Sequence, residues 1–158
     1  MQTLAAILAA HPFFQGLDAR YMELVTACTV NVRFQANHYL FHEGEQATHF
    51  YLLRQGKVAL ETLATLHRPI VIETIEAGEV LGWSWLFPPY RWHFNARAIE
   101  PVRALMLDGA CLRARGELDH DLGYELVKRM AQILIQRLQA TRLQLLDIYQ
   151  AQPGGSQR

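Results

Sequence analysis

The apolar positions of this chain change period twice. Leu4, Ile7 and Leu8 stand at helical spacing, and His11-Pro12 stops that helix. Phe13, Phe14 and Leu17 follow as an apolar knot around Gly16, and Asp18 is a natural N-cap for a second helix over 19–27. From residue 29 the period falls to two. Val30 and Val32 share one face of a strand at 29–34, with Asn31 and Arg33 on the other. Further strands are predicted at 39–41, 50–53, 58–65, 70–75, 94–98 and 102–107. Turns are predicted at 42–45, at Gln55-Gly56, at 66–69 and at 77–79. Many short strands punctuated by glycines predict a mainly β fold with flanking helices, a double-stranded β-helix (jelly-roll) barrel.

After Asp108 the helical period returns. The pattern predicts a short helix over 109–115, capped by Asp108. A long helix follows from about 122 to about 150, capped by Asp119 or Asp121. Within it Val127, Ala131, Leu134, Leu138, Thr141, Leu145 and Ile148 alternate spacings of four and three, one continuous heptad seam. Leu126, Met130 and Ile133 widen the apolar stripe in the first half. Such a helix is about 42 Å long, more than a small barrel is wide. Its second half therefore wants a partner, and a homodimer through a parallel coiled coil over 122–150 is expected. A helix folded across the barrel of a monomer is the other solution. One domain over 1–150 follows: helices at 1–27, barrel at 28–108, helices at 109–150. The polar, glycine-containing tail at 151–158 reads as disordered.

All three tryptophans lie within ten residues, at 83, 85 and 92, and Pro88-Pro89 between them bars regular structure. A turn or short helix is expected at 81–87. An aromatic irregular loop with cationic side chains suits the wall of a ligand pocket; equally, the indoles plug the end of a barrel. Composition narrows the field little. Lys and Arg balance Asp and Glu at 15 each, so no net positive charge draws in DNA or an anionic membrane. The apolar start is too short to span a bilayer and lacks a basic leader. Cys28 and Cys111 have no metal-type spacing and are expected as buried free thiols in a cytoplasmic protein.

Five segments, in order, resemble the cyclic-nucleotide-binding domain of the Crp/Fnr-type regulators. They are 41–47 (FHEGEQA), 50–58 (FYLLRQGKV), 77–82 (AGEVLG), 96–98 (ARA) and 137–141 (RLQAT). The resemblance implies a non-enzymatic ligand-sensing or regulatory module binding a cyclic nucleotide or another small anion. In that family a helix N-terminus and an arginine hold the cyclic phosphate. A glutamate after the glycine takes the ribose hydroxyl, and polar residues of the long helix meet the base. Ligand contacts are thus implied at Gly82, Trp83, Ser84, Arg91, Trp92, His93, Thr141 and Arg142. The cassette is degenerate, because Trp83 replaces the glutamate and Trp92 falls where the arginine belongs. A one-residue slip turns Arg91 inward; without it Arg91 faces water. Regulators of this type continue into a helix-turn-helix, whereas this chain ends eight residues after Gln150, so no direct DNA binding is expected.

Two other readings compete. One is a ligand-free dimeric interaction module, with a protein partner and a tryptophan-filled cavity. The other is a small metal-dependent enzyme of cupin type using His38, His42 and His49 with Glu43 and Glu45. On one strand His38 and His42 stand roughly 13 Å apart, too far for a shared metal; no metal site and no catalytic residue is expected. Ser84 fails the Gly-x-Ser-x-Gly elbow, since Leu86 stands at its last position.

Overall fold

The computed structural model describes residues 2–63 and 68–151. Half of the turn expected at 66–69, the last two residues of the strand expected at 58–65 and nearly all of the expected disordered tail lie outside them. The chain opens with α1 (Leu4–Ala10), a 3-10 turn (Pro12–Phe14) and α2 (Ala19–Ala27). Asp18 caps α2 by accepting from the Arg20 N–H at 3.0 Å. Among the described residues eight strands follow: β1 (Thr29–Phe34), β2 (Tyr39–Phe41), β3 (His49–Gln55), β4 (Lys57–Leu63), β5 (Pro69–Glu76), β6 (Val80–Leu81), β7 (Asn95–Ala98) and β8 (Val102–Asp108). The chain closes with α3 (Gly109–Leu118) and α4 (His120–Ala151). Of the two candidate caps for α4, Asp119 accepts from the N–H groups of Asp121 and Leu122 at 3.1 and 3.3 Å.

The strands form two antiparallel four-stranded sheets, ordered β1-β8-β3-β6 and β2-β7-β4-β5, the expected jelly-roll architecture. The two central strands of the first sheet, β8 and β3, are covered on both faces, and their sequence says why. In β3, Phe50 and Leu52 point to the helices while Tyr51 and Leu53 point into the barrel. In β8, Leu105 and Leu107 face the helices, and Val102 and Ala104 the barrel. A strand buried on both faces reads as a continuous apolar run rather than an alternation.

Two cores result. The helical core gathers Leu8, Phe13, Phe14, Val25 and Trp85 with Leu122, Leu126 and Met130 of α4. The barrel core holds Phe41, Tyr51, Leu60, Ile75, Leu81 and Trp92, with Ala96, Ala98 and Ala104 making room for the rings. Among the described residues no helix is long and apolar enough to cross a membrane.

One expectation is overturned. Cys28 and Cys111 are not free thiols: they form a disulfide across 83 residues, with Cα atoms 5.8 Å apart. Their separation in sequence concealed the pairing of β1 with β8, which brings residue 29 opposite residue 107.

Candidate functional site

The segment after β6 is built by two neighbours. Gly82 adopts φ +103°, and a Cβ there would lie 2.6 Å from Cη2 of Trp92, so only glycine lets the indole close over the turn. Trp85 is fully buried and stacks on Phe50 at 4.4 Å, while Ser84 is buried beside it. After the cis Pro88-Pro89 bond, the backbone pairs with the turn at 44–47. Ala47 N–H donates to the Tyr90 carbonyl (2.7 Å), Trp92 N–H to the Glu45 carbonyl (3.0 Å) and Gly44 N–H to the Trp92 carbonyl (2.9 Å). A paired extended segment alternates its side chains, which settles the direction of each residue.

Trp92 therefore points inward. It is 4% exposed and lies flat on Phe41, with ring centroids 3.7 Å apart and planes 8° from parallel. Arg91 and His93 point outward. The Arg91 guanidinium donates to the Gly44 carbonyl at 3.0 Å on the surface, so the inward slip of register does not occur. Nor does Arg97 supply the charge from β7. Its Nη2 and Nε donate to Oε2 of buried Glu61 at 2.8 and 3.1 Å. The barrel interior beside Trp92 is apolar enough that burial, aided by the Glu45 charge, pushes the Tyr51 hydroxyl up to about 12.

A buried cationic group also reaches the cassette from α4. Arg137 donates through Nη2 to the Val80 carbonyl, and its guanidinium lies 5.2 Å over the Trp83 ring. Its Nε stands 3.6 Å from Oε1 of Glu73 on β5, and its buried Nη1 has no partner. Burial outweighs this loose pairing at both ends. It pushes the Glu73 carboxyl above its usual range and the Arg137 guanidinium below its own. A cleft of about 420 Å³ opens here between α4 and the β5–β6 turn, lined in part by Glu73, Glu79, Val80, Arg129, Gln136 and Arg137.

The structure thus brings Gly82, Trp83, Ser84 and Trp92 together and leaves Arg91, His93, Thr141 and Arg142 exposed. Thr141 donates its hydroxyl to the Arg137 carbonyl at 2.8 Å, a bond within its own helix. Sequence reasoning missed Glu73 and Arg137 as site residues. The one available signal was an acid in the middle of an otherwise β-branched strand. The histidines expected around 38–49 do not converge: among the described residues, no group of three or more His, Cys, Asp or Glu is placed to hold a metal ion.

Comparison with known proteins agrees with this architecture. Residues 31–115, more than half of the chain, match the family model of the cyclic nucleotide-binding domain. Relatives from two strains of Mycobacterium tuberculosis, each a CRP-like cAMP-activated global transcriptional regulator, are 28% identical over 142 residues. That alignment takes in 90% of this chain but 62% of each relative, so the chain spans less than two thirds of their length. A crystal structure from Geobacter metallireducens GS-15, described as a cyclic nucleotide-binding protein, superposes with a TM-score of 0.78 at 26% identity. It covers 87% of this chain and 99% of the other. A cyclic nucleotide-binding domain from Methylobacillus flagellatus KT gives a TM-score of 0.75 at 16% identity, a likeness of fold alone, over 85% of this chain and 75% of that one.

Proposed function

The chain belongs to the cyclic nucleotide-binding domain family, and on that premise we propose that it is a non-enzymatic regulatory module whose cassette no longer takes a cyclic phosphate. The observation that carries this reading is Trp92. An arginine at that place would pair with phosphate oxygens; an indole stacked on Phe41 offers no charge and fills the space. Trp83 likewise meets Arg137 through its ring face and has no carboxylate for a ribose hydroxyl. Losing a buried charge-assisted phosphate bond costs on the order of 2–5 kcal/mol of affinity. The module works as a homodimer held along the exposed seam of α4, and passes its signal through that helix to a protein partner. The relatives' regulation of transcription supports a regulatory role.

A thermal melt with cyclic AMP and cyclic GMP at millimolar concentration tests the reading. A ligand at a hundredfold over its dissociation constant adds about 2.7 kcal/mol, or roughly 5–11 °C at this chain length. We expect no shift. A rise of several degrees would defeat the proposal.

A second reading rests on one observation, the unpartnered Nη1 of Arg137 at the edge of the 420 Å³ cleft. In it a small anion or a retuned nucleotide binds there, near Gly82, Trp83 and Ser84. A melting shift that Arg137→Met removes and Arg91→Ala keeps would select this reading over the first.

A further inference from the structure

The disulfide sits at the root of the element that holds the cassette and the long helix together. Cys28 follows α2, and its carbonyl accepts from the Asp108 N–H at 2.8 Å. Cys111 lies in the first turn of α3, where its own N–H donates to Oδ1 of Asp108 at 3.0 Å. The backbones that carry the two sulfurs are therefore fixed by the β1–β8 ladder and the helix cap, independently of the bond between them. The Cα separation of 5.8 Å lies well within disulfide range. Reduced, the pair stays in place as a preformed dithiol.

From that root α3 reaches both ends of the site. Gly109 abuts Trp85 so closely that a Cβ would lie 2.9 Å from the Trp85 Cβ. Arg113 donates to the Trp85 carbonyl and covers the Tyr90 ring at 4.2 Å. Gly116 backs onto Gly123 of α4, where a Cβ would lie 3.1 Å from the Gly123 Cα. Cys111 stands between the first two of these contacts.

We propose that Cys28 and Cys111 are a reversible redox site, oxidised by a hydroperoxide and reduced by a dithiol, whose state sets how firmly α3 grips the cassette and α4. Cys28 is 6% exposed and Cys111 is the more open of the two, so Cys111 reacts first. Its thiolate attacks the peroxide oxygen; an S–O bond forms, the O–O bond breaks, and an alcohol or water leaves. Cys28 then attacks the sulfenic sulfur as a thiolate; the S–S bond forms, the S–O bond breaks, and the oxygen departs as water with the proton. Two thiols lose two electrons and two protons, and the hydroperoxide is reduced by the same two electrons. A dithiol reverses the step by exchange and ends as a disulfide itself.

The intact folded protein is reduced with dithiothreitol, freed of it, and treated with hydrogen peroxide. Titratable thiols should go from two to none, with a mass loss of two hydrogens. Amide hydrogen exchange over 85–90 and 109–123 should be about tenfold faster in the reduced form, because local opening no longer works against the link. Cys28→Ser and Cys111→Ser should each exchange like reduced protein with or without peroxide. If a serine variant does not fold, reduced wild type carries the comparison. A bond that dithiothreitol cannot open in the folded state, thiols that survive peroxide, or identical exchange in the two forms would each overturn the proposal.

Discussion

The two halves of α4 carry similar apolar side chains and meet opposite surroundings. In the first half Leu122, Leu126 and Met130 are sealed in the helical core. In the second half Leu143, Leu145, Leu146 and Ile148 are each more than half exposed. The division is also one of faces. The heptad seam runs one residue away from the covered stripe, and neighbouring residues project about 100° apart around a helix. Val127, the first seam residue, is already 46% exposed while Leu126 beside it is 2% exposed. The helix thus bears two stripes, one satisfied by its own domain and one open over most of its length, with Leu134 alone of the seam half-buried. Apolar periodicity reports that a face is to be buried; it does not report against what.

Leu126→Ala gives the largest effect. It should cost about 2–5 kcal/mol, read as a lower urea midpoint with an unchanged slope at every protein concentration. A cost below about 0.5 kcal/mol, the range of ordinary surface changes, would erase the distinction between the halves. The paired change Leu138→Asp with Leu145→Asp acts on the other stripe. It should move the monomer–dimer equilibrium toward monomer by a hundredfold or more, about 2.7 kcal/mol, in sedimentation velocity. The melting of the monomer should stay within about 2 °C of wild type. Wild type and variant sedimenting alike as monomers would end the homodimer proposal.

Much of this fold was legible from period alone. The strand positions other than β6, the Asp18 and Asp108 caps and the long helix follow from local pattern, because each is set by residues within a few positions of one another; β6 (Val80–Leu81) falls where a turn or short helix was expected and is fixed by its pairing with β3. The site was legible only in part. That Trp92 stands where an arginine belongs can be read in the chain; that it points inward depends on pairing between 90–92 and 44–47, which is remote in sequence. Glu73 and Arg137 meet for the same reason, across 64 residues and two elements. The disulfide was invisible because two cysteines admit one pairing or none, and spacing decides neither.

The smallest effect probes the floor on which the first half of α4 rests. His11 ties the N-terminal turn to the barrel. Its Nε2 donates to the Leu53 carbonyl at 3.1 Å and its Nδ1 accepts from the Phe13 N–H at 3.2 Å. Phe13 and Phe14, just beyond, pack in the same core as Leu126 and Met130, and Arg129 of α4 donates to the Gln15 carbonyl at 2.9 Å. Both ring nitrogens are committed in the neutral form, and a second proton on Nδ1 would face the Phe13 N–H. Burial lowers the His11 pKa below its usual 6.5, only partly offset by the bond to Leu53. The sign follows. Above 6.5 folded and unfolded chains are both neutral at this residue, and its contribution to stability is fully present. As pH falls below 6.5 the unfolded chain takes the proton and the folded chain resists it. Stability then declines toward the folded pKa, by at most about 1.4 kcal/mol per pH unit for one proton. His11→Gln keeps a donor for Leu53 and does not titrate. Urea midpoints of wild type should therefore fall more steeply than those of the variant between about pH 6.5 and 5, with parallel curves above 7. Parallel curves throughout would mean that His11 takes its proton as readily folded as unfolded, and that this floor does not depend on its neutral ring.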